Sequence, residues 1–217
     1  MSKLTVQDMV DIVGSMSEVI IANEVRFCEL DSVAGDGDFG MSLAKGFKAI
    51  KNQWDSLQKD DAGVFLKECS QIITEHCGGA SGPIWGSAFR SAGKYAAGRT
   101  EFGAAELGAL LQNAVEGIQK RGGAKLGDKT LLDALIPAAE SLIRSGESGE
   151  DLLSAVKKCA QEAVDGAEKT KSIVATKGRA SYLGERSLDH PDAGAAAIGI
   201  IFTSIAEKLS DTCFLSA

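Results

Sequence analysis

The chain is short of the residues that would commit it to several common classes. Its 217 residues include two histidines, His76 and His190, too few and too widely separated for a zinc site. Five cysteines, Cys28, Cys69, Cys77, Cys159 and Cys213, form no Cys-x-x-Cys pair. Their odd number and scatter indicate reduced thiols in a cytoplasmic protein, mostly small core residues, rather than a disulfide framework. Positive charge is also scarce: 23 Lys and Arg against 30 Asp and Glu leave a formal charge of −7. No basic stripe is present to displace counterions, so nucleic acid is excluded as a partner. No apolar run approaches the length of a membrane span, and Asp8 and Asp11 interrupt any secretory leader. β-Branched alternation and hairpin turn pairs are missing, which removes most strand signals.

What is plentiful is glycine, 25 residues of it, punctuating long helical patterns. Thr5 with Asp8 resembles a capping box, with aspartate in place of the usual glutamate. Apolar residues then recur at Val6, Met9, Val10, Val13, Met16, Val19 and Ile20, predicting a first helix that ends near Phe27. A second begins near Met41 and carries Leu43, Phe47, Ile50 and Trp54; a third carries Phe65, Cys69 and Ile73 and stops at Gly78-Gly79. Pro83 stands where a fourth would start, a position that tolerates its missing N–H. That helix carries Trp85 and Phe89, and both Trp54 and Trp85 read as core rather than ligand-stacking residues. The fifth runs through Leu107 and Ile118 to Gly122-Gly123. The sixth starts near Asp128 and should kink at Pro137, which removes an i−4 hydrogen bond. The seventh spans 150–170, an irregular basic stretch covers 171–191, and the eighth spans 192–209. With no repeat, linker or low-complexity tract, this predicts a single domain, 1–217: an all-α, eight-helix antiparallel up-down bundle or barrel.

The chemistry gathers in four loops. Leu30 to Gly40 holds three carboxylates, Asp31, Asp36 and Asp38, with glycine at Gly35, Gly37 and Gly40. Such acids repel one another unless a cation neutralises them, and hard oxygen ligands suit Mg²⁺ or Ca²⁺. The letters of Gly35-Asp36-Gly37-Asp38-Phe39-Gly40 match G-x-G-x-x-G, but that fingerprint needs a preceding strand in a βαβ unit, and none is signalled. An EF-hand fails because the acids take relative positions 1, 6 and 8 with no glutamate at 12. A solvated acidic turn remains an alternative for this loop taken alone. The other loops are Gly78-Gly79-Ala80-Ser81-Gly82, the stretch Gly122 to Thr130, and Lys177-Gly178-Arg179-Ala180-Ser181 with Asp192-Ala193-Gly194. In an up-down bundle alternate loops share an end, so the loops after helices one, three, five and seven fall at one rim. There Asp31, Asp36 and Asp38 can hold metal, the amides near Ala80 and Ser81 can cradle phosphate, and Lys129 and Arg179 are cations available to phosphate oxygens. Asp128 and Lys129 also read as ordinary helix-start residues. No Walker A or kinase His-Arg-Asp sequence occurs, and Ser81 has no evident base to make it a nucleophile.

These loops, as Gly35-Asp36-Gly37-Asp38-x-Gly40, Gly78-Gly79-Ala80-Ser81-Gly82-Pro83, Gly127-Asp128-Lys129-Thr130-Leu131-Leu132-Asp133 and Lys177-Gly178-Arg179-Ala180-Ser181-Tyr182-Leu183-Gly184-Glu185-Arg186-Ser187, resemble the nucleotide-binding L subunits of dihydroxyacetone kinases. The resemblance runs in matching order over essentially the whole chain. It implies an eight-helix barrel with ADP or ATP at one end and two Mg²⁺ ions bridging Asp31, Asp36 and Asp38 to the phosphates. Nucleotide contacts would map to Phe39, Gly40, Ser42, Ala80, Ser81, Gly122, Leu131, Arg179, Asp192 and Gly194. Arg179 and the three aspartates would carry the catalysis. The phosphoryl group would pass to a short ketose bound covalently to a histidine of a separate K subunit. The donor would be either exchanging ATP or a resident ADP recharged by a phosphotransferase-system phosphocarrier. Three positions depart from the family pattern: Phe39 replaces a common histidine, Ser42 an asparagine or threonine, and Ala193 a proline. A kinase subunit for another ketose such as erythrulose, and a nucleotide-binding regulator without turnover, are the competing expectations.

Overall fold

The computed structural model describes residues 3–215, with side chains through Asp211. The Cys213 side chain and the extreme ends of the 1–217 domain therefore lie outside what is described. Nine α-helices are present among these residues: α1 (Val6–Ala22), α2 (Glu24–Ser32), α3 (Phe39–Asn52), α4 (Ala62–His76), α5 (Ser81–Ala96), α6 (Ala104–Gly122), α7 (Leu132–Glu147), α8 (Leu152–Lys169) and α9 (Ala193–Leu215). Short 3₁₀ turns follow α3 and α8, and a third, Arg179–Ser187, lies before α9.

The first predicted helix is in fact two. The side-chain amide of Asn23 donates to the Val19 carbonyl (2.8 Å), competing with the backbone for that oxygen, and the chain bends there. α2 thus extends α1 and packs outside on α3. The remaining eight helices form a closed ring, in which each of α3 to α9 packs on the next and α9 returns to α1, which also meets α3. That ring is the eight-helix antiparallel architecture the periodicity implies.

The ends of the chain order follow local rules. Thr5 and Asp8 do form a capping box, the Thr5 N–H donating to Asp8 (2.7 Å) and the Asp8 N–H to the Thr5 hydroxyl (3.2 Å). Leu4 pairs antiparallel with Phe102 in a two-residue ribbon that closes the far end. Pro137 does lie inside α7, where it deprives the Asp133 carbonyl of its usual donor. α8 approaches closely at that point, since a Cβ on Gly166 would collide with the Asp133 oxygen.

The core includes Phe27, Phe47, Phe65, Trp85 and Phe89, and Phe47 meets both Trp85 and Phe89 edge-on at 6.2 and 6.0 Å between centroids. Trp54 stands edge-on to Phe65 at the margin. Down the axis runs an apolar cavity of about 180 Å³ lined by residues such as Met9, Trp85, Leu110, Leu135 and Phe202. Cys159 lies on its wall, and burial pushes that thiol up to about 12. Among the described residues, the lining of this cavity is apolar, Cys159 included.

One sequence expectation fails here. No apolar run was expected to reach membrane length, yet Ala193–Asp211 in α9 does so by length and composition, with a mean hydropathy of 1.3. Its apolarity wraps round the helix because α9 packs on α1, α7 and α8 at once, burying Ala195, Ala197, Ile198, Ile201 and Ala206.

Candidate functional site

Because α2 continues α1, the loops after α2, α4, α6 and α8 share one end of the ring, and direct contacts join them. The Ser42 hydroxyl in the first turn of α3 donates to the Gly78 carbonyl (2.9 Å), tying the acidic turn to the Gly78-Gly79 loop. The guanidinium of Arg179 pairs with Asp36 and stands 4.0 Å from Asp38, so the α8–α9 segment reaches across to the acidic turn. The Thr176 hydroxyl donates to Asp128 (2.8 Å), and a Cβ on Gly194 would touch Leu131, which joins the α6–α7 loop to the same segment. Far apart in sequence, the residues expected at the site share one mouth.

The acids converge. One carboxylate oxygen each of Asp31, Asp36 and Asp38 lies within 4.8 Å of the others, with Asp31 half-buried and the other two exposed. Asp31 shapes the turn, accepting from the Gly35 N–H at its carbonyl (2.6 Å) and from the Gly37 N–H at its carboxylate (2.9 Å). Gly37 turns the chain with φ 73°, a region that favours glycine. Asp38 occupies the N-cap of α3, yet its side chain makes no capping bond and faces Arg179 instead. Three carboxylates facing one guanidinium leave two uncompensated negative charges, the charge of one divalent cation. Opposite oxygens in a Mg²⁺ octahedron are about 4.2 Å apart, so an all-oxygen cluster of this spread fits such an ion after a small contraction.

Two helix starts open on the same mouth without side-chain caps, those of α3 at Asp38 and α5 at Ala80. In α3 the Met41 N–H is taken by the Cys28 sulfur (3.3 Å); the earlier amides and the positive dipole ends of both helices are suited to anionic oxygens. Ser81 is the first residue of α5 and half-buried, and Gly79 before it has φ 56° with open space around it.

Several expected ligand residues have structural duties. Phe39 turns its ring onto Phe27, 6.0 Å between centroids, which leaves its backbone rather than its ring at the mouth. Gly40 is buried against α2: a Cβ there would run into the Glu24 carbonyl and the Cys28 N–H. Gly122 packs against Ile84 at the end of α6, and Leu131 lines the top of the axial cavity. Asp192 caps α9 through the Ala195 N–H (2.7 Å). Burial pushes its carboxyl up to about 7, with Asp133 and Asp31 adding to the rise while the Ala195 N–H and Lys129 oppose it.

Lys129 is a correction. It was expected to offer a free cation to phosphate; instead it is 3% exposed, and its ammonium donates to the carbonyls of Thr170 (2.7 Å) and His190 (2.8 Å). Asp128 does not begin a helix either, since α7 starts at Leu132. Burial alone would raise the Asp128 carboxyl; the Thr176 hydroxyl and the Lys125 N–H outweigh it and hold it below the usual range. The residue that sequence reasoning left without a role is Asp133, whose buried carboxylate accepts from Gly127 (2.6 Å) and Thr130 (2.8 Å) and folds the turn between them. Its place at the end of the Gly127–Asp133 motif was the available signal.

Comparison with known proteins agrees with this picture. Residues 33–207 match the DAK2 domain. The chain is 36% identical over 182 residues to the PEP-dependent dihydroxyacetone kinase 2, ADP-binding subunit DhaL, of Listeria innocua, covering 83% of this chain and 84% of that one. It is 34% identical over 177 residues to the PEP-dependent dihydroxyacetone kinase, ADP-binding subunit DhaL, of Escherichia coli, covering 82% and 84%. An L-erythrulose kinase of Pectobacterium atrosepticum is 32% identical over 203 residues, spanning 92% of this chain and 34% of that protein. Among solved structures, the dihydroxyacetone kinase of C. freundii in its native form aligns with a TM-score of 0.74 at 25% identity, over 92% of this chain; this chain spans about a third of that one, 34%. With the match extending over most of its length, the chain belongs to the DAK2 domain family.

Proposed function

We propose that this chain is the nucleotide-holding subunit of a ketose kinase, with ADP or ATP at the mouth and dihydroxyacetone as the acceptor. The observation that carries the reading is the facing of Asp31, Asp36 and Asp38 by Arg179 beside two uncapped helix starts. Relatives of nearly the same length named as ADP-binding subunits support it. Asp31, Asp36 and Asp38 would hold Mg²⁺, two ions in the full reading, which when bound supplies charge neutralisation at the phosphates. The amides at Gly40, Ala80 and Ser81 would orient the phosphates, the Ser42 hydroxyl would turn to them from the Gly78 carbonyl, and Gly122, Leu131, Asp192 and Gly194 would border the rest of the nucleotide.

In the transfer, the bond from phosphorus to the nucleotide's bridging oxygen breaks as a bond to a ketose hydroxyl oxygen forms. Arg179 offers a planar fork to the equatorial oxygens as charge builds on them. The hydroxyl proton leaves to a base on the acceptor side, since the carboxylates here are committed to cation and guanidinium. The acceptor would arrive bound covalently on a separate K-type subunit. Docking of that subunit is supported by the exposed large apolar side chains, Val25, Val33, Met41, Leu126, Val174 and Tyr182, which among the described residues all lie on the mouth loops or the helices entering and leaving them. Tyr182, 87% exposed, sits three residues beyond Arg179.

Names of the relatives favour a resident ADP recharged by a phosphotransferase-system phosphocarrier. The test is to purify the chain, extract its nucleotide and add a K-type subunit loaded with dihydroxyacetone or erythrulose. ADP recovered from the untreated protein, with phosphoryl transfer on addition of the phosphocarrier, is expected. An empty site with transfer from added ATP would establish the exchanging mode, and binding without transfer to either ketose would establish a regulator. Preference for erythrulose would move the chain beside its longer erythrulose-kinase relatives.

A further inference from the structure

Lys129 combines features that a surface helix start does not need. Its ammonium is buried, its backbone has φ 60°, a left-handed conformation unusual for a side chain of this kind, and its two hydrogen-bond acceptors lie 41 and 61 residues away. One acceptor, the Thr170 carbonyl, is at the exit of α8, where it also accepts from the Ile173 N–H (3.1 Å) and the negative dipole end favours a cation. The other, the His190 carbonyl, lies just before the entry to α9. Burial lowers the affinity of Lys129 for its proton, while Asp192, Asp189 and Asp133 support the charged form.

The same neck is closed by two further bonds, from the Asp192 N–H to the Thr170 hydroxyl (2.8 Å) and from the Asp189 N–H to the Lys171 carbonyl (2.8 Å). Beyond the neck, the segment is anchored again at Thr176, whose hydroxyl and N–H both donate to Asp128, the residue next to Lys129. Three residues after that anchor, past Gly178 with φ 63°, comes Arg179 and its pair with Asp36. The α6–α7 turn therefore grips the α8–α9 segment at both its base and its rising limb.

We infer that Lys129 is a positioning residue: with Asp128 it clasps the 170–192 segment from beneath and so holds Arg179 across the mouth from the aspartates. This rests on the mouth being a Mg²⁺–nucleotide site. Lys129 touches no ligand; it acts through Arg179. A role in stability alone would lower the melting temperature without linking the two residues energetically.

The test is a double-mutant cycle read by calorimetry with MgADP on the wild type, Lys129→Met, Arg179→Ala and the double variant. Lys129→Met is expected to weaken binding about tenfold, the scale on which groups supporting a site residue act. In the Arg179→Ala background the same change is expected to alter binding by less than about twofold, because the group it positions is gone. Wild-type affinity in Lys129→Met, or losses that multiply in the double variant, would overturn the inference. Since loss of a buried clasp can unfold the chain, Thr176→Val repeats the cycle from the loop side, with a smaller loss that again vanishes without Arg179. If the wild type itself fails to bind MgADP, the functional reading falls and hydrogen exchange decides the clasp. Faster exchange at 172–188 in Lys129→Met, with α3 to α5 unchanged, supports it; unchanged exchange in that segment overturns it.

Discussion

The acidic turn at 33–38 and the basic segment at 171–192 face each other across the mouth, but they are held by opposite means. The acidic turn is short and supports itself: Asp31 accepts from Gly35 and Gly37, and Ser42 reaches over to Gly78. Its aspartates lie exposed or half-exposed and spend nothing on capping α3. The basic segment is more than three times as long, and ordering that much chain costs conformational entropy unless it is pinned. Lys129, Asp128, Thr170 and Ser187 pin it, and all four are buried. The charge at the mouth is thus secured on one side by brevity and on the other by polar groups kept out of water.

Neutralising the acidic side should produce the largest effect. Asp36→Asn removes both a carboxylate of the cluster and the partner of Arg179. Mg²⁺-dependent nucleotide affinity is expected to fall by about 100-fold or more, the scale of losing several kcal/mol of charge stabilisation. Circular dichroism should show the helices unchanged, and calorimetry reads the affinity; an unaltered value would remove the turn from the site. Packing behind the turn comes next. Gly40→Ala must push the start of α3 away from the α2 backbone. It should cost about 1–3 kcal/mol, seen as a melting temperature lower by about 2–4 °C for each kcal/mol. A thermal melt unchanged by this substitution would mean that α2 and α3 are free to part.

The smallest effect is expected on the basic side, with pH. Asp192 has a carboxyl raised by burial from 3.8 to about 7. The folded chain therefore binds this proton more tightly than the unfolded chain does. The associated stability is complete below about pH 4 and is lost as pH rises through 7. Melting temperature followed from pH 5 to 8 should fall less in Asp192→Asn than in the wild type. Mg²⁺ at the acidic turn, by neutralising Asp31, should also shrink the wild-type fall and move it to lower pH.

Much of this architecture can be read from residue order. Helical stripes repeat over many turns, so α3 to α6, α8 and α9 fall close to where their apolar residues put them. The loop parity that collects Asp36, Ser81, Leu131 and Arg179 at one end needs only a count of helices. Boundaries were harder wherever a polar side chain competes with the backbone. Asn23 breaks the first helix by taking the Val19 carbonyl, and Asp133 folds Gly127 to Thr130 into a turn where a helix start was expected. Lys129 was misread for the same reason: the letters of Asp128-Lys129-Thr130 suit a helix N-terminus as well as a buried clasp.

Composition and periodicity by themselves settled that the chain is helical, that its helices alternate in direction, and that three aspartates, an arginine and glycine-rich turns share one end. Burial and pairing were decided by tertiary structure: that Gly40 is a point of helix contact, that Phe39 leans on Phe27, and that Lys129 reaches carbonyls 41 and 61 residues further on. The physical reason is range. A helical stripe is a property of neighbours a few residues apart, whereas the partner that makes a buried charge tolerable is brought by the closing of the ring.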